Sequence, residues 1–147
     1  MRGATMLALF LFVAATLNAQ HDQKITTFDV PNSSYTFPTA ISTSGEIVGY
    51  YYDSGRFQRA FLRKSNGAIT TLNFPKPGAV PTAVSGGQIA GYYDYLADKP
   101  QLDGPPFLAG FIRRANGEFT SIIPNVEWNA IPRAINPAGE VVAATST

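Results

Sequence analysis

The chain has 147 residues, of which 45% are hydrophobic and only 14% charged, and its formal net charge is +1. It contains no cysteine and one histidine, which excludes disulfide scaffolds, thiolate zinc sites, cysteine nucleophiles and multi-histidine metal sites. The 13 glycines and 11 prolines indicate a folded, turn-rich protein.

Residues 1–19 have the pattern of a secretory signal peptide. Arg2 gives a basic start, residues 4–15 are apolar or small without interruption, and small residues lead to Ala19. The apolar run is shorter than the roughly 20 residues that a membrane anchor needs. We therefore expect cleavage after Ala19 and a secreted or periplasmic mature domain over 20–147. Loss of Arg2 leaves that domain neutral, which argues against nucleic acid or a membrane as partner.

The mature region contains a repeated sequence pattern. Similar stretches begin at Pro38, Pro81 and Pro132 and read PTAISTSGEIVGYY, PTAVSGGQIAGYY and PRAINPAGEVVAA. A second element follows the first two stretches and reads AFLRKSNGAITTL and GFIRRANGEFTSI. Its second half also occurs alone in residues 25–30. Such self-similarity is typical of tandem structural repeats.

The repeats predict strands, because Val, Ile, Thr, Tyr and Phe cluster in short runs bounded by Gly, Pro, Asn and Ser. Asn-Gly at 66–67 and at 116–117 predicts two-residue hairpin turns in which both residues have positive φ. A complete unit is then a four-stranded antiparallel meander. The strands of the first unit are predicted over 37–42, 46–52, 59–64 and 68–74, and the units over about 37–74, 80–123 and 131–147.

The strands are apolar on both faces in runs such as residues 47–52, so both faces of each sheet need a cover. Four-stranded sheets that recur every 40 to 45 residues or so are typical of a β-propeller. We expect an all-β, β-propeller-like fold of about three blades, which is incomplete because closed propellers have roughly 4–8 blades. A small β-solenoid or an irregular sandwich is the rival architecture. Gly49 and Gly91 occupy matching positions where a neighbouring sheet or a tyrosine ring is expected to approach closely.

The motifs ITTFDVP, TFPTAIS, GEIVGYYYD and RAFLRKSNG resemble those of the HAF-type probable extracellular repeat proteins, secreted bacterial chains built from tandem units. The resemblance covers residues 25–142. The His-Ala-Phe tripeptide that gives the family its name corresponds to residues 59–61 and 109–111, where the histidine is absent. The resemblance implies secretion and a propeller-like fold, and it supplies no catalytic residues.

The third unit contains sequence for two strands, and residues 25–30, which match a fourth strand, are expected to help close it from the other end. Three outcomes follow from this count: an open, incomplete propeller, an oligomer that completes the ring by pairing exposed strand edges, or a truncated member of a longer family. We expect unpaired edges near residues 140–145 to favour a homo-oligomer.

The sequence carries few catalytic signals. His21 lies beside the expected cleavage site, so no Ser-His-Asp triad can form, and no glycine-rich phosphate loop is present. Glu46 and Glu140 follow turn glycines and are predicted to be turn or strand-start residues. Asp53 and Asp94 end tyrosine-rich strands, where turn capping is expected and cation binding is the alternative. No cofactor is predicted.

An insertion over residues 95–106 is the most distinctive local feature, and inserted loops on repeat scaffolds often carry function. Asp94, Asp98 and Asp103 could offer oxygen ligands to Ca²⁺, but their spacing matches no EF-hand. A solvated surface loop is the favoured interpretation, and no metal site is predicted.

Aromatic side chains offer the best candidate surface for a ligand. The rings lie on neighbouring strands and in the linker that enters the third unit: Tyr50, Tyr51, Tyr52, Tyr92, Tyr93, Tyr95 and Trp128. The preferred candidates among them are Tyr51, Tyr93, Tyr95 and Trp128. They could stack on a sugar or hold a peptide, because tyrosine and tryptophan combine apolar area with a polar tip, or they could pack between blades.

The sequence thus predicts a secreted, non-catalytic module that binds or scaffolds a partner, either a protein or a glycan. The alternative from another class is a carbohydrate-active enzyme that uses paired acids such as Asp53 and Asp94. A third interpretation is a truncated fragment without independent function.

Overall fold

The computed structural model describes residues 25–96, 107–122 and 129–146, and within these ranges the chain forms β-strands and no helix. The strands are β1 (Ser33–Ile41), β2 (Ile47–Asp53), β3 (Gln58–Arg63), β4 (Ile69–Leu72), β5 (Val80–Ser85), β6 (Gln88–Asp94), β7 (Leu108–Arg113), β8 (Phe119–Ile122), β9 (Asn129–Ile135) and β10 (Val141–Ser146). The described part of the chain has no helix suited to spanning a membrane. The predicted all-β class is confirmed, whereas the predicted signal peptide over 1–19 lies outside the described residues.

The strands form three antiparallel sheets in chain order. The first sheet has the order β1-β2-β3-β4, the second β5-β6-β7-β8, and the third pairs β9 with β10. None of the three described sheets closes into a barrel. The two four-stranded meanders predicted from the sequence are confirmed. The first strand begins at Ser33, earlier than residue 37, because Tyr35 and Thr36 pair with Tyr52 and Tyr51.

The Asn-Gly hairpins form where the sequence predicts them, but with a different turn. Gly67 has a φ of 90°, whereas Asn66 does not have positive φ. The Gly67 N–H donates to the Lys64 carbonyl at 2.9 Å, and the Lys64 N–H donates to the Ala68 carbonyl at 2.8 Å. These bonds define a three-residue loop, in which a type I turn is followed by one left-handed residue. The predicted two-residue turn is therefore wrong at this site, and the same pattern recurs at Gly117.

Paired positive φ values occur instead between β5 and β6. Gly86 and Gly87 have φ of 56° and 74°, as a two-residue hairpin turn requires. The corresponding turns of the first and third sheets are one residue longer and place a single glycine, Gly45 or Gly139, in the left-handed region. Local glycine placement thus decides the turn type of each unit.

A β-bulge interrupts the first strand of every sheet at the same point. The pairing register skips Thr39 in β1, Thr82 in β5 and Arg133 in β9. A bulge leaves its extra residue unpaired and bends the strand. In the first two sheets, Gly49 and Gly91 lie beside the bulge on the second strand.

No side chain fits at these two glycines. A Cβ atom on Gly91 would lie 2.2 Å from the carbonyl oxygen of Val80 and 2.6 Å from the ring of Phe111. A Cβ atom on Gly49 would lie 2.1 Å from the carbonyl oxygen of Phe37. The close approach predicted at the glycines is present, but strands of the same sheet make it, rather than a neighbouring sheet or a tyrosine ring.

The first strand of the second sheet packs on the first sheet, and the first strand of the third sheet packs on the second. β5 contacts β1 and β2, and β9 contacts β5, β6 and β7. The hydroxyl of Thr39 donates to the carbonyl of Pro81 at 2.7 Å, and the hydroxyl of Thr82 donates to the carbonyl of Pro132 at 2.6 Å. The bulged threonine of one sheet is therefore tied to the matching proline of the next.

The main core lies between the first and second sheets. Val48 of the first sheet packs in one cluster with Ile89, Tyr93 and Phe111 of the second, and each is at most 1% exposed. The ring of Phe74 adds a contact with Phe111 at 4.8 Å between centroids. No polar or charged side chain is buried among the described residues. Burial of such apolar side chains, worth about 1.5–3 kcal/mol each, drives the stacking of the sheets.

Residues 25–30 do not form the predicted closing strand. They pack on the first sheet, where Val30 is 5% exposed and the ring of Phe28 meets Phe61 edge-on at 5.9 Å. Phe74 contacts Phe111 of the second sheet, with the two rings tilted and their centroids 4.8 Å apart. Residues 25–30 thus cover the first sheet, and the residues that follow β4 cover the second sheet. This shared role accounts for the similarity of the two segments in sequence.

The third sheet has an open edge in the described residues, because β10 pairs only with β9. This is the region near residues 140–145 where the sequence predicts an unpaired edge.

Candidate functional site

Four aromatic side chains lie together on one face of the first sheet. They are Tyr35 and Phe37 of β1 with Tyr50 and Tyr52 of β2, and they are called the aromatic patch here. Tyr35 pairs with Tyr52 and Phe37 pairs with Tyr50. Paired residues, and residues two apart on one strand, share a face of the sheet. The strand register alone therefore gathers the four rings.

The rings of the aromatic patch hold one another in defined orientations. Phe37 and Tyr50 stack with centroids 4.9 Å apart and planes 17° apart. Tyr52 lies edge-on to both rings at 6.2 Å. Tyr35 is 66% exposed and Phe37 40% exposed. The patch is thus a pre-arranged apolar surface that faces solvent.

An open depression of about 540 Å³ adjoins the patch and is lined by Ser34, Tyr35, Tyr52 and Arg56. Arg56 is exposed and has a left-handed φ of 61° in the turn between β2 and β3. The hydroxyl of Tyr52 donates to Oε1 of Gln58 at 3.3 Å. Hydroxyls and a guanidinium therefore border the aromatic rings, which is the mixture of groups that small-ligand sites use.

The aromatic patch is a feature of the first sheet and is not demanded by the repeat. The matching positions are Gly78, Val80, Tyr92 and Asp94 in the second sheet and Asn129, Ile131, Ala144 and Ser146 in the third. Both of those sheets form with one ring or none at these positions. Packing of the units therefore does not explain the four rings.

Asp53 organises the turn beside the patch. Its Oδ1 accepts the N–H groups of Gly55 and Phe57, each at 2.9 Å, and its Oδ2 accepts the Nε–H of Arg59 at 3.1 Å. The Phe57 N–H, followed by the Arg59 guanidinium and the Gly55 N–H, holds the pKa of Asp53 below its ordinary value of 3.8. Asp53 is therefore an ionised turn cap at neutral pH.

Two of the rings expected at a ligand surface lie in the interior. Tyr51 is 8% exposed and Tyr93 is 1% exposed. Their hydroxyls form hydrogen bonds with Thr71 Oγ1 at 2.8 Å and with Ser121 Oγ at 2.7 Å. The pleat turns Tyr51 away from its neighbours in the patch, so this ring packs in the fold and is not open to a ligand.

Asp94 and Tyr95 lie at the end of β6. The carboxylate of Asp94 accepts the Leu96 N–H at 2.9 Å, which is a turn-capping contact. The ring of Tyr95 meets Phe107 edge-on at 5.9 Å and has the Lys76 ammonium 5.9 Å from its centroid. The other predicted members of the site lie outside the described residues: Asp98, Asp103 and Trp128.

Glu46 and Glu140 lie in turns, as the sequence predicts. The carboxylate of Glu46 accepts the Ser44 hydroxyl at 3.2 Å. The Glu140 N–H donates to Asn136 Oδ1 at 2.9 Å, and its carboxylate accepts the Asn136 amide. No group of three or more His, Asp and Glu residues able to hold a metal ion occurs in the described ranges.

The sequence does contain a signal for the aromatic patch, and its candidate tyrosines include Tyr50 and Tyr52 but neither Tyr35 nor Phe37. Tyr50 and Tyr52 are two apart, as are Tyr35 and Phe37, and a period of two places residues on one face. The register between β1 and β2 is the missing information, because it decides that these pairs meet.

Comparison of the chain with protein-family models, curated proteins and solved structures finds no match.

Proposed function

We propose that this protein is a secreted, non-catalytic binding module of propeller-like architecture, akin to the HAF-type repeat proteins that its motifs resemble, and that the aromatic patch binds a glycan. The observation that carries the proposal is a solvent-facing cluster of four rings that the repeat does not require. Surface patches of this kind mark interaction sites in soluble proteins.

A glycan suits the chemistry of the patch. A sugar ring has one apolar C–H face and a rim of hydroxyls, so it needs a flat apolar partner with donors and acceptors beside it. Tyr35 and Phe37, which are 66% and 40% exposed, offer the apolar surface. Ser34, Tyr52 and Arg56 line the adjoining depression and offer the polar contacts.

The contacts of Asp53 favour binding over acid catalysis. A glycosidase needs one carboxylic acid that is protonated at working pH, usually through a raised pKa. Asp53 instead accepts three N–H donors, and these hold its pKa low. The carboxylate of Asp53 caps the turn and is ionised at neutral pH, so it is a poor proton donor.

The test is a glycan array, followed by titration of the best ligand against Tyr35→Ala and Phe57→Ala. Tyr35 and Phe57 are 66% and 65% exposed, which makes the second variant a matched control outside the patch. Loss of an aromatic contact should weaken binding by roughly threefold to tenfold in Tyr35→Ala, with Phe57→Ala unchanged. Equal losses in both variants, no bound glycan, or hydrolysis of the ligand by the purified protein would contradict the proposal.

A further inference from the structure

The two ends of the stack expose apolar side chains whose counterparts are buried between sheets. Ile41 of the first sheet is 68% exposed, whereas Val84, at the same position of the second sheet, is 7% exposed. Val142 of the third sheet is 69% exposed, whereas Val48, at the same position of the first sheet, is fully buried. Each end therefore presents one half of an interface that the molecule already contains.

The face of the first sheet that points away from the second is called the leading face, and its open part consists of Pro38, Ile41 and Ile47. Pro38 is exposed, whereas its counterparts Pro81 and Pro132 are almost completely buried against the preceding sheets. In the second sheet, the same face meets the first sheet and closes the main core. Among the described residues, the leading face thus has the composition of a covered surface but no sheet packed on it.

The face of the third sheet that points away from the second is called the trailing face, and it consists of Arg133, Ala134, Val142 and Ala144. These positions correspond in the first sheet to residues of β1 and β2, the two strands that hold β5. A shallow depression of about 230 Å³ adjoins Ala134 and Val142. It has the right place in the repeat to receive Ile41 of another molecule.

A donor and an acceptor for the polar contact between sheets are also present, one at each end of the stack. Thr39 and Thr82 donate across the internal interfaces to proline carbonyls. The bulged residue of the trailing face is Arg133, whose guanidinium is likewise a donor. The acceptor at the matching place on the leading face is the carbonyl of Pro38.

Residues 25–30 leave this surface accessible. Val30 and Phe28 cover the first sheet near Phe61, in the place that Phe74 takes on the second sheet. The first sheet packs on the second with Phe74 in that position. The same arrangement of the N-terminal segment is therefore compatible with a sheet docked on the leading face.

From these matches we infer that a second copy of this chain docks head to tail, with the trailing face of one molecule on the leading face of the next. The contact is heterologous, so it closes into a ring or extends as a filament according to the rotation between copies. It joins sheets face to face, in contrast to pairing of the open edge of β10. If the proposed glycan site is correct, the assembly also presents that site in several copies, which increases avidity.

The test uses sedimentation or light scattering of the purified protein over a range of concentrations, without ligand. The wild-type mass should rise with concentration. Ile41→Asp and Val142→Asp should each raise the apparent dissociation constant by about tenfold or more, because each places a charge in an apolar contact. Mixing the two variants should restore dimers, since each retains one intact face. Both substituted side chains are exposed, so each variant should have the melting temperature of wild type at concentrations where wild type is monomeric.

Phe57→Asp is the matched control, because Phe57 is 65% exposed but lies on neither face, and its association should equal that of wild type. The absence of cysteine permits a direct check with single-cysteine variants. Ile41→Cys and Val142→Cys should form disulfide-linked dimers only when mixed. A monomer at every concentration, no rescue on mixing, cross-links within either variant alone, or weakened association of Phe57→Asp would overturn the inference.

Discussion

Consecutive tyrosines of β2 have opposite environments, which shows how much a single position decides in this fold. Tyr51 is buried with its hydroxyl bonded to Thr71, whereas Tyr50 and Tyr52 join the aromatic patch. The alternation of a strand requires this division. Composition and clustering mark the tyrosines as candidates, but only the pairing with the partner strand shows which of them face solvent.

Asp53 gives a pH prediction at the same scale. Its folded-state pKa is lowered, so the stability that its charge contributes is present above the ordinary pKa of 3.8 and is lost as the pH falls through the lowered value. Asp53→Asn keeps an oxygen acceptor but removes the charge that Arg59 contacts. We expect a lower melting temperature for the variant at pH 7 and a difference that shrinks below about pH 3.8, measured by circular dichroism. A difference that stays constant down to the acid limit would assign the effect to something other than ionisation.

At the scale of elements, the Asn-Gly dipeptide predicts where each hairpin turns, whereas the length of the loop decides how many residues need positive φ. Asn-Gly correctly marks the ends of β3 and β7, because both hairpins turn there. The three-residue loop needs only one left-handed residue, and glycine supplies it. The side chain of Asn66 instead accepts the Ala68 N–H at 3.1 Å, which stabilises the turn locally.

The turn type can be checked by substitution in the first hairpin. Gly67→Ala forces a Cβ into a φ of 90° and should lower the free energy of unfolding by about 1–2 kcal/mol. Asn66→Ser keeps a short acceptor at a residue without positive φ, so its effect should be clearly smaller. Urea denaturation of the two variants measures both values. Equal losses would indicate the two-residue turn that the sequence suggested.

At the scale of the whole molecule, the bulged threonines connect sheets that no strand pairing joins. Thr39 ties the first sheet to the second, and Thr82 ties the second to the third. The third sheet has two described strands and little buried surface of its own, so this connection matters most there.

Thr82→Val should therefore loosen the third sheet selectively. The variant keeps the shape of the side chain but leaves the carbonyl of Pro132 without that donor, a loss of about 1–3 kcal/mol for a buried acceptor. Amide hydrogen exchange should accelerate in residues 129–146 and change little in the first sheet. Thr70→Val, at an exposed position of β4, is the control and should leave the exchange pattern as in wild type. Uniform acceleration through all three sheets would show that the bond is not specific to this junction.

The sequence by itself determined the class, the order of the strands and the positions of the turns, because these follow from local patterns: apolar runs, glycines and a repeat anchored by Pro38, Pro81 and Pro132. Only the tertiary structure decided which tyrosines face solvent, since a register shift of one residue moves a side chain to the other face. It also placed residues 25–30 on the first sheet, because the packing of Val30 and Phe28 there depends on contacts that no local pattern encodes.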